Sequence, residues 1–343
     1  MLEILSEDEI NKEIEGYSKE GLEVSDIGAG RYPKVPADQR RVGIAYTSWH
    51  RNGHWDNVWS KPVLGEYSSF DRNVIRKHAE WLYDAGVDFV WLDWSNNVAY
   101  NPKIDTDPTS GQAIIERGTE ILFEEYSKLE KCPKISIFAG VTMYPEAAYD
   151  GRLQKKADQI YDMYVSKPQY RKLFEEYLGK PLLVVYVNTP SPWQDKVPEW
   201  DDARFTVRWM TGYVSEQKPL RTEERISKYG YWSWEDREAQ TYSVYDNKPE
   251  SMVVVASWRK QDSADGYNYI PEKGRRNGVT LKEQFARARL IGVKFVTVVS
   301  WNEWTRGEQP SPEVSKDLEP SEAFGDFYLK LLGKEIRKFK TID

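Results

Sequence analysis

Eight short apolar, β-rich runs recur along this chain, and they restrict its possible folds more than any other feature. They are 42–48 (VGIAYTS), 88–94 (DFVWLDW), 135–142 (ISIFAGVT), 182–188 (LLVVYVN), 205–211 (FTVRWMT), 230–234 (GYWSW), 251–258 (SMVVVASW) and 295–301 (FVTVVSW). Most are continuously apolar rather than alternating, the habit of parallel strands buried on both faces. Between most of them lies a stretch with helical periodicity. Residues 71–85 place Val74, Ile75, His78, Ala79 and Leu82 on one face before Gly86. Residues 112–129 carry Ile114, Ile115, Ile121, Leu122 and Leu129, and 169–178 carry Tyr170, Leu173, Phe174 and Leu178 before Gly179. Residues 281–291 open with Thr280 and Glu283 in capping-box register. Strands and helices alternating in this way predict an α/β fold, a (β/α)8 barrel, whose usual size is ~250 residues. An open doubly wound sheet is the alternative, and it would normally need fewer strands.

The chain divides into a lead-in, 1–40, and a single barrel domain with long βα loops, 41–343. The lead-in has helix-start signals in Ser6 and Glu9. A last helix, 321–340, follows Pro320 and ends in Arg337, Lys338 and Lys340, cations that suit a helix C-terminus. At 343 residues, 40% hydrophobic and 30% charged, the chain has ample material for one large core. A net charge of −7 argues against nucleic acid or an anionic membrane as partner, and no stretch approaches a membrane span. Lone Cys132 precludes an intramolecular disulfide and reads as a buried spectator. The first residues lack the basic and apolar regions of a signal peptide. The compartment stays open: cytoplasmic, or periplasmic or secreted if a signal was removed.

Fourteen Trp and 22 Tyr are too many to serve the core alone. In a barrel of this kind the active site forms at the C-terminal ends of the strands. The first strand leads to Tyr46, Trp49, His50, His54 and Trp55, and the second to Asp93, Trp94, Asn96 and Asn97. The fourth gives Tyr186 and Asn188, the fifth Arg208, Trp209 and Tyr213. The sixth gives Trp232, Trp234 and Glu235, and the seventh Trp258 and Arg259. The eighth ends in Trp301, Asn302, Glu303 and Trp304, with Arg306 and Glu308 just beyond. Aromatics beside polar groups fit a carbohydrate cleft, because indole faces stack on the C–H face of a pyranose while amides and carboxylates bond its hydroxyls. An ionised Glu303 between two indoles is costly to desolvate, so it is badly placed for stability and well placed for chemistry. The plain alternative is an ion pair with Arg306 at the barrel rim.

No Gly-rich phosphate loop appears, and no cofactor or metal is expected. His50 and His54 share a face only on a helix, and Arg51-Asn-Gly53 reads as loop. Asp105 and Asp107 begin something like a calcium loop but lack its later ligands. His78 falls on an apolar helix face and reads as a core histidine. One cleft is expected to hold Trp49, His50, His54, Asp93, Trp232, Trp258 and Glu303, with Trp258 and Trp304 supplying much of the affinity.

Three stretches resemble glycoside hydrolase family 99, the endo-α-mannosidases, and more distantly family 71, the α-1,3-glucanases. They are YTSWHRNGHWDNVWSKPVLGEYSS from Tyr46, GVDFVWLDW over 86–94, and SWNEW over 300–304. The resemblance covers roughly 45–305 and implies a retaining α-glycosidase. It gives Glu303 the task of acting on the sugar 2-hydroxyl, which attacks the anomeric carbon to form an epoxide-like intermediate. The family's acid is a second Glu three residues on, and Arg306 stands there, a group that cannot deliver a proton near neutral pH. Glu308 is the first substitute, with Asp93 and Glu235 as others. Two further readings stay open. One is a carbohydrate-binding barrel without hydrolysis. The other is an enzyme of sugar acids or sulfated sugars, in which Arg208, Arg259 and Arg306 clamp the anion.

Overall fold

The computed structural model describes Val24 and residues 28–51, 55–141, 144–187, 196–237, 240–260, 270–305, 307 and 309–341. The helix expected from Ser6 lies outside these. Eight parallel strands make a nearly closed barrel. They are β1 Arg41–Tyr46, β2 Phe89–Trp94, β3 Lys134–Gly140, β4 Lys180–Tyr186, β5 Thr206–Thr211, β6 Trp232–Ser233, β7 Ser251–Val255 and β8 Phe295–Val299. The hydrogen-bonded order is β7–β8–β1–β2–β3–β4–β5–β6, so the one unbonded junction lies between β6 and β7. β8 pairs on both sides, with Phe295 facing Arg41 and Ser251. The weakest sequence signal, 230–234, is also the shortest strand.

The helices are α1 Arg72–Asp84, α2 Gly111–Tyr126, α3 Arg152–Ile160, α4 Pro168–Arg171, α5 Val279–Ile291 and α6 Phe327–Thr341. α1 starts where Asp71 accepts from the Asn73 and Val74 amides at 2.9 and 3.3 Å. Its predicted face, Val74, Ile75, His78, Ala79 and Leu82, is the buried one. Ser110 caps α2 by accepting from Ala113 N at 3.2 Å.

Three expectations need correcting. The helix over 169–178 shrinks to the single turn α4, because the chain then reverses through left-handed Leu178 and Gly179, pairing Glu176–Tyr177 antiparallel to Lys180–Pro181. The capping box at Thr280 does not form. Gly278 in the left-handed region starts α5, Thr280 donates to Gly274 O at 2.6 Å, and Glu283 pairs with Lys273 and Arg276, each at 3.0 Å. The last helix begins at Phe327, since Ser321–Gly325 folds into a turn.

Side chains alternate across each strand. One set faces the helices, including Ile44, Tyr46, Leu92, Trp94, Val185 and Val298. The other fills the barrel, including Phe89, Trp91, Phe138, Val184, Met210, Trp232 and Phe295. Gly43 is required here, because a Cβ on it would come within 2.3 Å of the Phe89 ring. The N-terminal end is plugged: Tyr177 and Trp232 pack on Phe295 with ring centres 4.9 and 5.3 Å apart, and Arg208 Nε donates to Glu250 at 2.6 Å. Among the described residues, the barrel's interior is therefore closed at its N-terminal end, and its C-terminal mouth is where strand-end side chains meet.

Candidate active site

β8 ends at Val299, and Ser300–Trp304 bends across the mouth. Asp317, on the segment that returns beside it, holds this bend. Its carboxylate accepts from Glu303 N and Trp304 N at 2.7 Å each, from Trp59 Nε1 at 2.9 Å, and from the Ser300 hydroxyl. Trp304 is thereby kept at φ +60°, a left-handed conformation that costs a bulky residue about 1–2 kcal/mol. The bend presents the Glu303 side chain at the barrel's mouth while its backbone stays fixed.

Glu303 is buried, and Lys316 Nζ lies 2.9 Å from its Oε2 as an ion pair, off the line of a hydrogen bond. Burial pushes the carboxyl up; Asp317 and Glu235 add to this, Lys316 opposes it, and the result is about 7. Lys316 also donates to Glu235 Oε1, and Glu235 Oε2 accepts from Arg237 Nε at 3.1 Å. Burial works against the Glu235 charge too, but Lys316 and Arg237 outweigh it and hold the carboxyl down at about 2. Two carboxylates sharing one ammonium are thus driven in opposite directions. Asp93, at the end of β2, accepts from Ser95 N at 2.8 Å, and burial raises its carboxyl against the pull of Ser95 and Lys316. Half-buried Trp234 stacks on Phe138, ring centres 5.3 Å and planes 9° apart, with Lys316 Nζ 5.8 Å from its ring. The mouth therefore combines an indole, an ammonium and carboxyls of unequal acidity.

Other predicted site residues are placed elsewhere, and the structure corrects them. Tyr46 and Trp94 face the helices, bonded to His78 Nδ1 at 3.0 Å and Thr119 Oγ1 at 2.9 Å. Strand alternation is the cause: with Asp93 inside, Trp94 must be outside. Arg208 and Trp232 both bond Glu250 in the plug at the N-terminal end, so Arg208 is not at the mouth to join a clamp there. Asn302 is spent inside the fold, accepting from Thr47 N at 2.9 Å and donating to Thr47 O at 3.1 Å and Tyr67 Oη at 3.3 Å. His50 Nε2 donates to Asn302 O at 2.7 Å, its ring stacks on Trp55, and burial drives its conjugate acid down to about 4. It is a neutral structural histidine.

Trp304 is 0% exposed, stacked on Trp59 with its Nε1 donating to Glu319 at 2.8 Å, so it has no face to offer a sugar. Trp258 is buried in the barrel's inner cluster, with its Nε1 on Pro271 O at 3.0 Å. Trp49 is half-buried beside His50, and Asn96 is exposed. His54, Asn188, Arg306 and Glu308 lie outside the described residues. Among the described residues, no three His, Cys, Asp or Glu side chains gather in a way that could hold a metal ion. No described helix is long and apolar enough to cross a membrane.

Lys316, Asp317 and Glu319 were not foreseen. Their one sequence signal is a charged pair set between Val314 and Leu318, in a segment without surface periodicity. Glu319 accepts from Tyr67 Oη at 2.7 Å and faces His78 Nε2 at 2.9 Å, fastening that segment to α1.

No protein-family model matches the chain. It is 26% identical over 153 residues to the interleukin-31 receptor subunit alpha of Mus musculus, a stretch covering 45% of this chain and 19% of that one. A match over so small a part of the receptor transfers nothing of its function. Solved structures are more telling about the fold. The GH99 endo-alpha-mannosidase of Bacteroides thetaiotaomicron, in complex with bis-tris propane, superposes with a TM-score of 0.56 at 17% identity, over 87% of this chain and 97% of that one. A second structure of the enzyme gives 0.56 at 16% identity, covering the same shares. A glycoside hydrolase-like protein gives 0.53 at 13%, over 89% and 96%. The chain therefore has the barrel fold of the GH99 structures, at identities that speak to fold alone.

Proposed function

We propose that this protein is a glycoside hydrolase that cleaves an α-linked, mannose- or glucose-type glycan at the mouth of its barrel, with retention of configuration. The observation that carries the reading is the buried Glu303 carboxyl, shifted to about 7 beside a half-buried indole, where a group can accept a proton near neutral pH. In an α-mannoside, where O2 lies trans to the leaving group, ionised Glu303 takes the proton of the 2-hydroxyl as that oxygen attacks the anomeric carbon; an α-glucoside has O2 cis and would need a different nucleophile. The glycosidic oxygen leaves with a proton from an acid, and water then opens the epoxide-like ring at the anomeric carbon. Glu235, held at about 2, is already ionised and is withdrawn as the acid. Asp93, whose carboxyl is raised, takes that role in our reading, and Glu308 is tested beside it.

The test is incubation with a panel of α- and β-linked aryl glycosides and oligosaccharides, with products weighed by mass spectrometry. Cleavage of an α-linked member that is lost in Glu303→Gln supports the reading. If an acid is needed, Asp93→Asn should fail on a natural glycan yet cleave a dinitrophenyl glycoside almost normally. If Glu308→Gln behaves so and Asp93→Asn does not, the acid is Glu308. A second reading, a glycan-binding barrel without hydrolysis, draws on the Glu303–Lys316 pair, since structural ion pairs also shift acidity. Binding without cleavage across the whole panel would favour it.

A further inference from the structure

Glu303 and Glu235 come from different strand ends and meet on one ammonium. Lys316 Nζ stands 2.9 Å from Glu303 Oε2 and in contact with Glu235 Oε1, and the residue is 6% exposed. Its backbone is pinned by Gln309, whose Oε1 accepts from Lys316 N at 2.9 Å. Glu235 is anchored in turn by Arg237, whose Nη2 donates to Tyr213 Oη at 3.0 Å. Glu303 Oε1 receives no hydrogen bond among the described residues, whereas Oε2 faces the ammonium. The pair is therefore one-sided: the ammonium faces Oε2 as an ion pair, and neither oxygen of Glu303 accepts a hydrogen bond among the described residues.

Resting on the reading of Glu303 as the reacting carboxylate, we propose that Lys316 is its positioning residue: anchored by Glu235, the ammonium holds the Oε2 side of the carboxylate by its charge and leaves Oε1 toward the substrate. A plain structural rivet would have the same contacts, since a buried ion pair often contributes little beyond cancelling its own desolvation. The arrangement differs from a rivet in one respect that can be measured. Lys316 favours ionised Glu303 and Glu235 disfavours it, so removing them must move Glu303 in opposite directions. Among the described residues, the other charged or titratable groups around this cluster are Asp317 on the same segment, Asp93 near the end of β2, Tyr213 and Glu216 after β5, and Arg237 after β6.

The experiment follows Glu303 twice in the full-length protein. One readout is the acid limb of kcat/KM against pH on whichever α-glycoside the wild type cleaves. The other is the carboxyl carbon resonance of Glu303 in 13C-glutamate-labelled protein, assigned by its absence in Glu303→Gln. Lys316→Met should move both midpoints up by about one pH unit or more. Glu235→Gln should move both down, because Lys316 then serves Glu303 alone. Lys316→Arg should restore the midpoint while leaving kcat lowered, since a planar guanidinium cannot replace a compact ammonium between two carboxylates. Midpoints that move in the same direction, or that stay put in folded variants, would overturn the role of Lys316. Opposite shifts in the resonance with an unmoved kcat/KM profile would instead sink Glu303 as the reacting group, and this role with it. Should Lys316→Met fail to fold, Glu235→Gln decides: a lower midpoint supports the proposal, and an unchanged or higher one overturns it.

Discussion

The two ends of the barrel each bury a carboxylate against a cation and an indole, yet they are built for different ends. At the N-terminal end every partner of Glu250 is a donor. Arg208 Nε is at 2.6 Å, Trp232 Nε1 at 2.8 Å and Ser243 Oγ at 3.3 Å, so both oxygens are engaged. At the C-terminal end Glu303 must share Lys316 with Glu235 as an ion pair, and neither of its oxygens has a hydrogen-bond donor among the described residues. The same residue types leave both carboxylate oxygens bonded at the plug and leave Glu303 without a hydrogen-bond donor, among the described residues, at the mouth. Desolvation is present at both ends; what differs is how far it is compensated.

The comparison can be broken most forcefully at the plug. Arg208→Met should remove roughly 3 kcal/mol of stability, because it strands a buried carboxylate, while turnover per folded molecule stays normal. Urea unfolding beside active-site titration reads both. A large loss of turnover at full folding would erase the distinction between the ends.

Next comes Glu303→Gln, expected to lower turnover at least ~100-fold with the fold intact. Its effect on stability has a definite sign. The folded carboxyl sits at about 7, above its unfolded value, so its contribution is most favourable below the unfolded value and is lost as pH rises through 7. Melting curves at pH 5 and pH 8 should therefore show wild type falling relative to the Glu303→Gln variant, by something on the order of 2 kcal/mol. Glu235 runs the other way: held at about 2, it stabilises above its unfolded value and loses this as pH falls toward 2. A Glu303→Gln protein that is less stable than wild type at pH 8 would mean the mouth is as well compensated as the plug.

The smallest effect sharpens the contrast across two residues at the end of β6. Trp234→Ala should weaken glycan binding by about 1–2 kcal/mol, as expected for losing part of a large apolar contact. Trp232→Ala, two residues away in the plug, should cost stability and leave affinity alone. Calorimetry on both variants checks this, and equal losses of affinity would show that Trp232 reaches the ligand.

Much of the fold was legible because buried parallel strands advertise themselves as continuous apolar runs, and all eight lie where such runs occur. The helix predicted over 169–178 failed because Leu178 and Gly179 turn the chain, a backbone event that periodicity does not register. At the site, Glu303 and Asp93 were readable from their places at strand ends. Trp234 was readable in the same way, but Trp94 and Trp304 were not, because a strand end says where a residue sits and not which way it points. Trp94, Trp304 and Tyr46 all point away from the cleft; only for Trp94 would strict alternation from Asp93 have said so. Lys316 and Asp317 escaped notice altogether. They act on Glu303 from a returning segment whose path is set by Leu318 N bonding to Ser300 O at 3.0 Å, a pairing with no local sequence cue.

The open junction between β6 and β7 has a mechanical consequence. Six strands are held by a ladder on each side, but β6 is fastened only to β5, through the two pairs Met210–Trp232 and Thr211–Ser233. Trp234 and Glu235 follow directly, so the half-buried indole and the carboxylate that anchors Lys316 hang from the least restrained stave of the barrel. A shift of that wall would break no rung elsewhere, while Glu303, four residues past the doubly bonded β8, would keep its position. Faster amide exchange at 231–235 than at 295–299 would be the mark of such a yielding wall facing a rigid one.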